Sequence, residues 1–65
     1  MSETYYRAVT QILIAYGCYM DRQGKGSHEI WYSPITERKF VVAYTIPSKQ
    51  MANICLKQAG IKEKL

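Results

Sequence analysis

The chain has 65 residues, of which 48% are hydrophobic, and its 9 Lys and Arg against 5 Asp and Glu give a net charge of +4. A domain of about this size buries only about 60% of its unfolded surface, so we expect a single domain over residues 1–65 and exclude a separate cofactor domain or a deep substrate cleft. The positive charge favours an anionic partner, such as nucleic acid or an acidic protein.

Neither a membrane segment nor a targeting segment is expected. No apolar run approaches the roughly 18–20 residues of a membrane helix, and the segment Met1-Ser2-Glu3-Thr4 lacks the cationic start and apolar block of a signal peptide. Cys18 and Cys55 allow one disulfide, but two reduced, buried thiols in a cytoplasmic protein are favoured. With one histidine and scattered carboxylates, we expect no metal site and no cofactor.

The first predicted element is an amphipathic helix from Thr4 to Tyr16. Its apolar residues fall on one stripe of a 3.6-residue period, namely Tyr5, Val9, Ile12, Leu13 and Tyr16. Ser2 or Thr4 can cap the helix, and Gly17 is placed to end it. We expect Tyr5 and Tyr16 to lie in the core.

Three strands with short links are predicted next. Cys18 to Arg22 indicates a short strand, and residues 23–27 form a turn that contains glycine. The second strand is predicted over His28–Ser33, where Pro34 follows, and the third runs from Arg38 to Ile46. Such short connections favour an antiparallel meander.

A second helix is predicted after Pro47, with Ser48 as its N-cap and Gly60 as its stop. Its apolar stripe contains Ala52, Cys55, Leu56 and Ala59. Ile54 lies off this stripe, either exposed for a protein partner or at the edge of the core. The order α-β-β-β-α predicts an α+β fold in which both helices pack on one face of a three-stranded antiparallel sheet.

The run Gly24-Lys25-Gly26-Ser27-His28 places the only histidine after a cationic, glycine-containing turn. Imidazole gives and takes protons near neutral pH, and glycine lets a backbone approach a ligand closely. Alternation along the strand separates Trp31, expected in the core, from His28 on the open face. A lone histidine is often structural or merely solvated, but the turn and Lys25 favour a proton-transfer site that faces phosphate.

Several residues are predicted to support this site. Lys25 and the turn amides around Gly26 can stabilise a negatively charged transition state, while Ser27 is either a hydrogen-bond donor or a turn residue. The candidate phosphate contacts, each alternatively an ordinary solvated charge, are Arg22, Lys25, Arg38, Lys39 and Lys49. Tyr32 and Tyr44 are expected to offer rings for base stacking.

The chain resembles the HicA-type toxins of bacterial and archaeal toxin–antitoxin modules. The resemblance spans nearly the whole chain and is carried by Gly26-Ser27-His28, by the alternating aromatic and aliphatic residues that follow, and by Leu56-Lys57-Gln58-Ala59-Gly60-Ile61. It implies a fold like the double-stranded-RNA-binding domain and the activity of an mRNA interferase. It also implies that His28 is the catalytic residue and that a HicB antitoxin is the partner.

Two segments depart from the family pattern. Glu29 stands where many relatives have a second histidine, and alternation points it away from His28. The segment Val42-Ala43-Tyr44-Thr45 replaces a Val-Pro pair and a basic loop.

Our leading hypothesis is a metal-independent endoribonuclease toxin that cuts mRNA, with His28 as general acid or base. The alternatives are a non-catalytic RNA-binding module and a pure protein-interaction domain.

Overall fold

The computed structural model describes residues 4–65 and has the element order α-β-β-β-α. The elements are helix α1 Tyr6–Ala15, strands β1 Tyr19–Gln23, β2 His28–Ser33 and β3 Arg38–Ala43, and helix α2 Lys49–Gln58. The strands form one antiparallel sheet in the order β1-β2-β3, which confirms the predicted α+β meander. Within residues 4–65, no helix is long and apolar enough to cross a membrane.

The start of α2 follows the predicted pattern, and Gly17, with φ +90°, ends α1 as predicted; the start of α1 departs from the prediction. The Ser48 hydroxyl caps α2 by accepting a 3.1 Å hydrogen bond from the Met51 amide, as predicted. Helix α1 has Tyr5 at its N-cap without a side-chain cap bond, and Thr4 Oγ1 lies 3.4 Å from the Tyr6 nitrogen. The other predicted cap, Ser2, lies outside the described residues.

Both helices pack against the same face of the sheet. The buried apolar core consists of Val9, Leu13, Cys18, Trp31, Phe40, Val42, Ile46, Ala52, Cys55, Leu56, Ala59 and Ile61. Trp31 and Phe40 pair directly across β2 and β3, so the indole lies in the core as predicted. Burying a large apolar side chain contributes roughly 1.5–3 kcal/mol, and this face therefore supplies most of the stabilisation.

The two cysteines are free and buried within this core, as the prediction of reduced thiols requires. Burial, followed by the nearby Cys18, raises the pKa of the Cys55 thiol to about 11. A thiol reacts as its thiolate, so Cys55 is shielded from oxidation both by its packing and by its protonation.

The predicted bounds of three elements are wrong. Helix α1 is shorter than the predicted range Thr4 to Tyr16, and strand β1 ends at Gln23 rather than Arg22. Strand β3 ends at Ala43 rather than Ile46, because the chain turns toward α1: the Ile46 carbonyl accepts a 2.9 Å hydrogen bond from the Tyr5 amide. Strand β1 begins one residue later than predicted, because Cys18 turns into the core and its amide donates to the Leu13 carbonyl at 2.9 Å.

The expectation that Tyr16 lies in the core is also wrong. Its side chain is 43% exposed, and its hydroxyl donates a 3.2 Å hydrogen bond to Glu63 in the C-terminal segment. Tyr5, by contrast, is half-buried and packs against the core, as predicted. The apolar stripe of α1 thus continues by one residue past the end of the packed helix.

Candidate functional site

His28 begins the central strand on the sheet face that the helices leave open. Along β2, His28 is exposed whereas Glu29, Trp31 and Ser33 are buried. The residue opposite His28 on β3 is Ala43, a small side chain that leaves space above the strand. The imidazole is therefore open to solvent at one end of the sheet.

The turn before His28 is held by several hydrogen bonds. The Gly24 amide donates to the His28 carbonyl at 2.9 Å, and the His28 amide donates to the Lys25 carbonyl at 3.1 Å. The Gln23 side-chain amide donates to the carbonyl oxygens of both Gly26 and His28, at 3.3 Å each. The backbone of His28 is therefore fixed while its imidazole faces solvent.

The two glycines of this turn meet different local requirements. Gly26 has φ +61°, a backbone conformation that residues other than glycine rarely adopt. A Cβ on Gly24 would stand 2.9 Å from the His28 carbonyl oxygen, so glycine permits the close approach of the turn to the strand. Ser27 contributes its carbonyl, which accepts a 2.7 Å hydrogen bond from the Tyr44 amide.

Two predicted phosphate contacts share the open face with His28. Arg22 lies opposite Ile30, and Lys39 lies opposite Tyr32. Directly opposed residues of antiparallel strands project to the same face, and residues separated by two along a strand do so as well. The side chains of Arg22 and Lys39 therefore lie on the same side of the sheet as His28.

Asp21 binds both of these cations. It is the extra residue of a β-bulge, since the register shifts between Met20 and Arg22. Its Oδ2 lies 3.1 Å from Arg22 Nη1 and 3.3 Å from Lys39 Nζ, so the ion pairs cross from β1 over β2 to β3. The sequence carries no pattern that predicts a bulge at this position, and the predicted site did not include Asp21.

The aromatic residues divide between the two faces. Tyr19 and Tyr32 lie on the open face with ring centroids 5.4 Å apart, and Tyr32 is placed as predicted. The expectation for Tyr44 is wrong, because its ring lies 4.9 Å from that of Tyr6 on α1. Tyr44 lies two residues after the buried Val42, so its side chain projects to the same, helix-covered side of the sheet.

The remaining predicted cations are not gathered around the imidazole. Lys25 is exposed in the turn, three residues before His28. Arg38 lies two residues before the buried Phe40 on the same strand, so its side chain projects to the helix side. Lys49 begins α2 and lines a groove between that helix and the C-terminal segment. The structure thus places only Arg22, Lys25 and Lys39 on the face or turn of His28.

Glu29 is 7% exposed on the helix side, pointing away from His28 as alternation predicts. Its carboxylate accepts a 2.9 Å hydrogen bond from Trp31 Nε1 and lies 2.8 and 2.9 Å, through its two oxygens, from the Tyr6 hydroxyl. Burial, followed by the hydrogen bond to Glu29, raises the pKa of Tyr6 to about 12. This cluster joins α1 to the start of β2, directly beneath the residue that carries the imidazole.

The open face combines one proton-transfer group with nearby cations. Imidazole can exchange a proton near neutral pH, and Arg22, Lys25 and Lys39 can bind phosphate oxygens. In the described part of the chain, no three His, Cys, Asp or Glu side chains lie close enough together to hold a metal ion. The arrangement suits an extended anionic polymer laid across the sheet.

A protein-family model matches most of the chain. The model is described as the HicA toxin of bacterial toxin–antitoxin, and the match covers residues 6–61, a range that contains both helices, all three strands and His28. Comparison with curated proteins and with solved structures gave no significant match.

Proposed function

Because the chain belongs to the HicA toxin family and is therefore the toxin of a toxin–antitoxin system, we propose that it is a metal-independent endoribonuclease that cuts mRNA. His28 is the proposed catalytic residue. The observation that carries this proposal is an exposed imidazole on the open sheet face, attached to a backbone that the preceding turn holds in place. The proposed partner is a HicB-type antitoxin, and the proposed compartment is the cytoplasm, where mRNA is translated.

The proposed reaction uses the 2′-hydroxyl of the RNA itself. The 2′-oxygen attacks the adjacent phosphorus, so that the O2′–P bond forms and the P–O5′ bond breaks. His28 removes the 2′-hydroxyl proton as general base, or protonates the leaving 5′-oxygen as general acid, and water completes the other transfer. The products are a 2′,3′-cyclic phosphate and a 5′-hydroxyl. Proton transfer of this kind contributes typically 10²–10⁴-fold, so a single imidazole supports modest turnover.

The turn and the open face supply the charge stabilisation in this proposal. Lys25 and the turn amides of Gly26 and Ser27 stabilise the charge that develops on the phosphoryl oxygens. Arg22 and Lys39 bind neighbouring phosphates. In doing so, each replaces its ion pair with Asp21 by a contact with the RNA backbone. Lys49 is assigned to a more distant RNA contact, because it lies on α2 rather than on the open face.

The ribose chemistry provides a test that does not depend on any protein variant. An RNA oligonucleotide with a single 2′-deoxyribose at the cleaved position should resist cleavage there, because the attacking oxygen is missing. The matched control carries the 2′-deoxyribose three positions away and should be cut at the normal rate. Equal cleavage of the two oligonucleotides would exclude attack by the 2′-hydroxyl.

A non-catalytic RNA-binding module is the second candidate function. The observation that favours it is a ring pair beside Lys39 on the open face, made by the exposed Tyr19 and the half-buried Tyr32. Aromatic rings and cations together bind single-stranded RNA. Such a module would bind RNA with a steep dependence on salt and would release no cleavage products. The product assay therefore separates the two functions.

A further inference from the structure

Strand β3 forms an outer edge of the sheet, and within residues 4–65 its outward main-chain groups have no partner. The Tyr44 amide donates to the Ser27 carbonyl of the neighbouring strand, and the β2–β3 register is regular along all six residues. In an antiparallel pair, hydrogen-bonded and non-hydrogen-bonded residues alternate. Lys39, Val41 and Ala43 therefore direct their N–H and C=O groups outward, where a further strand can pair with them.

The opposite edge is far less suited to strand addition. Strand β1 is interrupted by the bulge at Asp21, and its charged residues Asp21 and Arg22 are exposed. Bulges and edge charges are the features by which proteins prevent unwanted strand pairing. The contrast identifies β3 as the edge that is left available.

An apolar groove runs beside this free edge. It is lined by Val41 and Ala43 of β3, by Ile46, and by Met51 and Ile54 of α2. Val41, Met51 and Ile54 are each about half exposed, at 50%, 49% and 50%. The side chains of Ile46, Met51 and Ile54 make the groove apolar, while Val41 and Ala43 contribute the strand edge. Such a groove suits a partner that is both extended and partly apolar.

The surroundings of the groove define the charge of the partner. Ile54 also lines the neighbouring groove along α2, where one carboxylate, Glu63, is outnumbered by the four lysines Lys49, Lys57, Lys62 and Lys64. A second copy of this chain, with its net charge of +4, would bring like charges together. An acidic partner complements the lysines.

We propose that the free edge of β3 and the apolar groove beside α2 receive an extended strand of the antitoxin, with apolar side chains against the groove and acidic side chains against the lysines. The proposal rests on the antitoxin partner that family membership implies. Main-chain hydrogen bonds from Lys39, Val41 and Ala43 supply affinity, and the groove selects the partner's side chains. Because Ala43 lies opposite His28, the added strand would lie about 10 Å from β2 and would place the antitoxin beside the imidazole.

A pair of matched variants tests the groove. Ile54→Glu adds a negative charge within it, whereas Ile14→Glu makes the same change on α1 at a side chain that is 62% exposed and does not line the groove. Calorimetric titration with the cognate HicB-type antitoxin should show at least 100-fold weaker binding for Ile54→Glu and a change within about threefold for Ile14→Glu. Equal affinities of the two variants would overturn the proposal.

Hydrogen exchange of the unsubstituted chain tests the strand pairing directly. On binding of the antitoxin, the amides of Lys39, Val41 and Ala43 should become at least 100-fold slower to exchange, while the outward amide of Gln23 on β1 should change little. Unaltered exchange at the three β3 amides would overturn strand addition, even if Ile54→Glu weakens binding. Both experiments measure antitoxin binding, so their failure is distinguishable from a failure of RNA cleavage by the free toxin.

Discussion

The hydroxyl of Tyr6 on α1 lies 2.8 and 2.9 Å from the two carboxylate oxygens of Glu29 on β2. Trp31 Nε1 donates to the same carboxylate at 2.9 Å. A buried carboxylate is costly unless donors satisfy it, so the two donors hold Glu29 on the helix side. Because His28 precedes Glu29, the same contacts fix the point at which strand β2 begins.

Replacing Tyr6 with phenylalanine should destabilise the fold, because the carboxylate of Glu29 then loses one of its two donors. Loss of a hydrogen bond that leaves a buried partner unsatisfied costs roughly 1–3 kcal/mol. Urea unfolding monitored by circular dichroism measures the change. Tyr5→Phe is the matched control, since Tyr5 is half-buried and its hydroxyl makes no hydrogen bond within residues 4–65. Equal unfolding midpoints for the two variants would contradict a structural role for this contact.

The same contact predicts a loss of stability at alkaline pH. Burial and the hydrogen bond to Glu29 raise the pKa of Tyr6 from 10.0 to about 12 in the folded chain, so folding favours the neutral phenol. This contribution is fully present below pH 10 and is lost as the pH rises through about 12. The difference in urea midpoint between the wild type and Tyr6→Phe should therefore shrink between pH 10 and 12. A difference that stays constant over that interval would show that the raised pKa is not linked to folding.

The sequence predicts strands well where local chemistry and tertiary packing agree. His28–Ser33 alternates cleanly and is followed by a proline, so the bounds of β2 match the structure. The third strand is predicted three residues too long, because Thr45 and Ile46 have strand-forming side chains. Their backbone follows a long-range contact with Tyr5 instead, and no local pattern in a single sequence reports such a contact.

A side chain at Gly24 should displace His28 and slow RNA cleavage. The Cβ of Gly24→Ala would stand 2.9 Å from the His28 carbonyl oxygen, so the turn or the strand must move. A shift of about 1 Å in a catalytic group can cost as much as about 10²-fold in rate. Cleavage of a labelled RNA under single-turnover conditions measures the loss.

Gly17→Ala separates this local effect from general destabilisation. Gly17 has φ +90° and lies at the other end of β1, so its replacement is strained but remote from His28. At a temperature where both variants are folded, Gly17→Ala should cleave RNA at close to the wild-type rate. If it is as slow as Gly24→Ala, the turn has no special part in positioning the imidazole.

Removing the charge of Asp21 should strengthen RNA binding. Asp21→Asn frees Arg22 and Lys39 from their ion pairs at 3.1 and 3.3 Å, and exposed pairs of this kind contribute up to about 1 kcal/mol. We expect RNA affinity to rise by up to about fivefold in a filter-binding assay at low salt. Glu37→Gln, which makes an equal change of charge in the β2–β3 turn, is the control and should have a smaller effect. Equal gains for the two variants would mean that only net charge matters.

The candidate site is predictable from the sequence only in part. Alternation along β2 places His28 and Tyr32 on one face and Glu29 on the other, because a strand has a fixed period of two. The bulge at Asp21 and the donation from Tyr6 to Glu29 depend on how β1 and α1 meet β2. These contacts join residues 8 to 23 positions apart in the chain, and composition and spacing do not specify them.

The central claim is that His28 transfers a proton during RNA cleavage, and a single-turnover cleavage assay of His28→Ala tests it most directly. The variant should retain its circular dichroism spectrum and its binding to the antitoxin, because the imidazole is exposed, while its cleavage rate should fall by about 10²–10⁴-fold. If folded His28→Ala cuts RNA as fast as the wild type, the assignment of His28 as the catalytic residue is wrong.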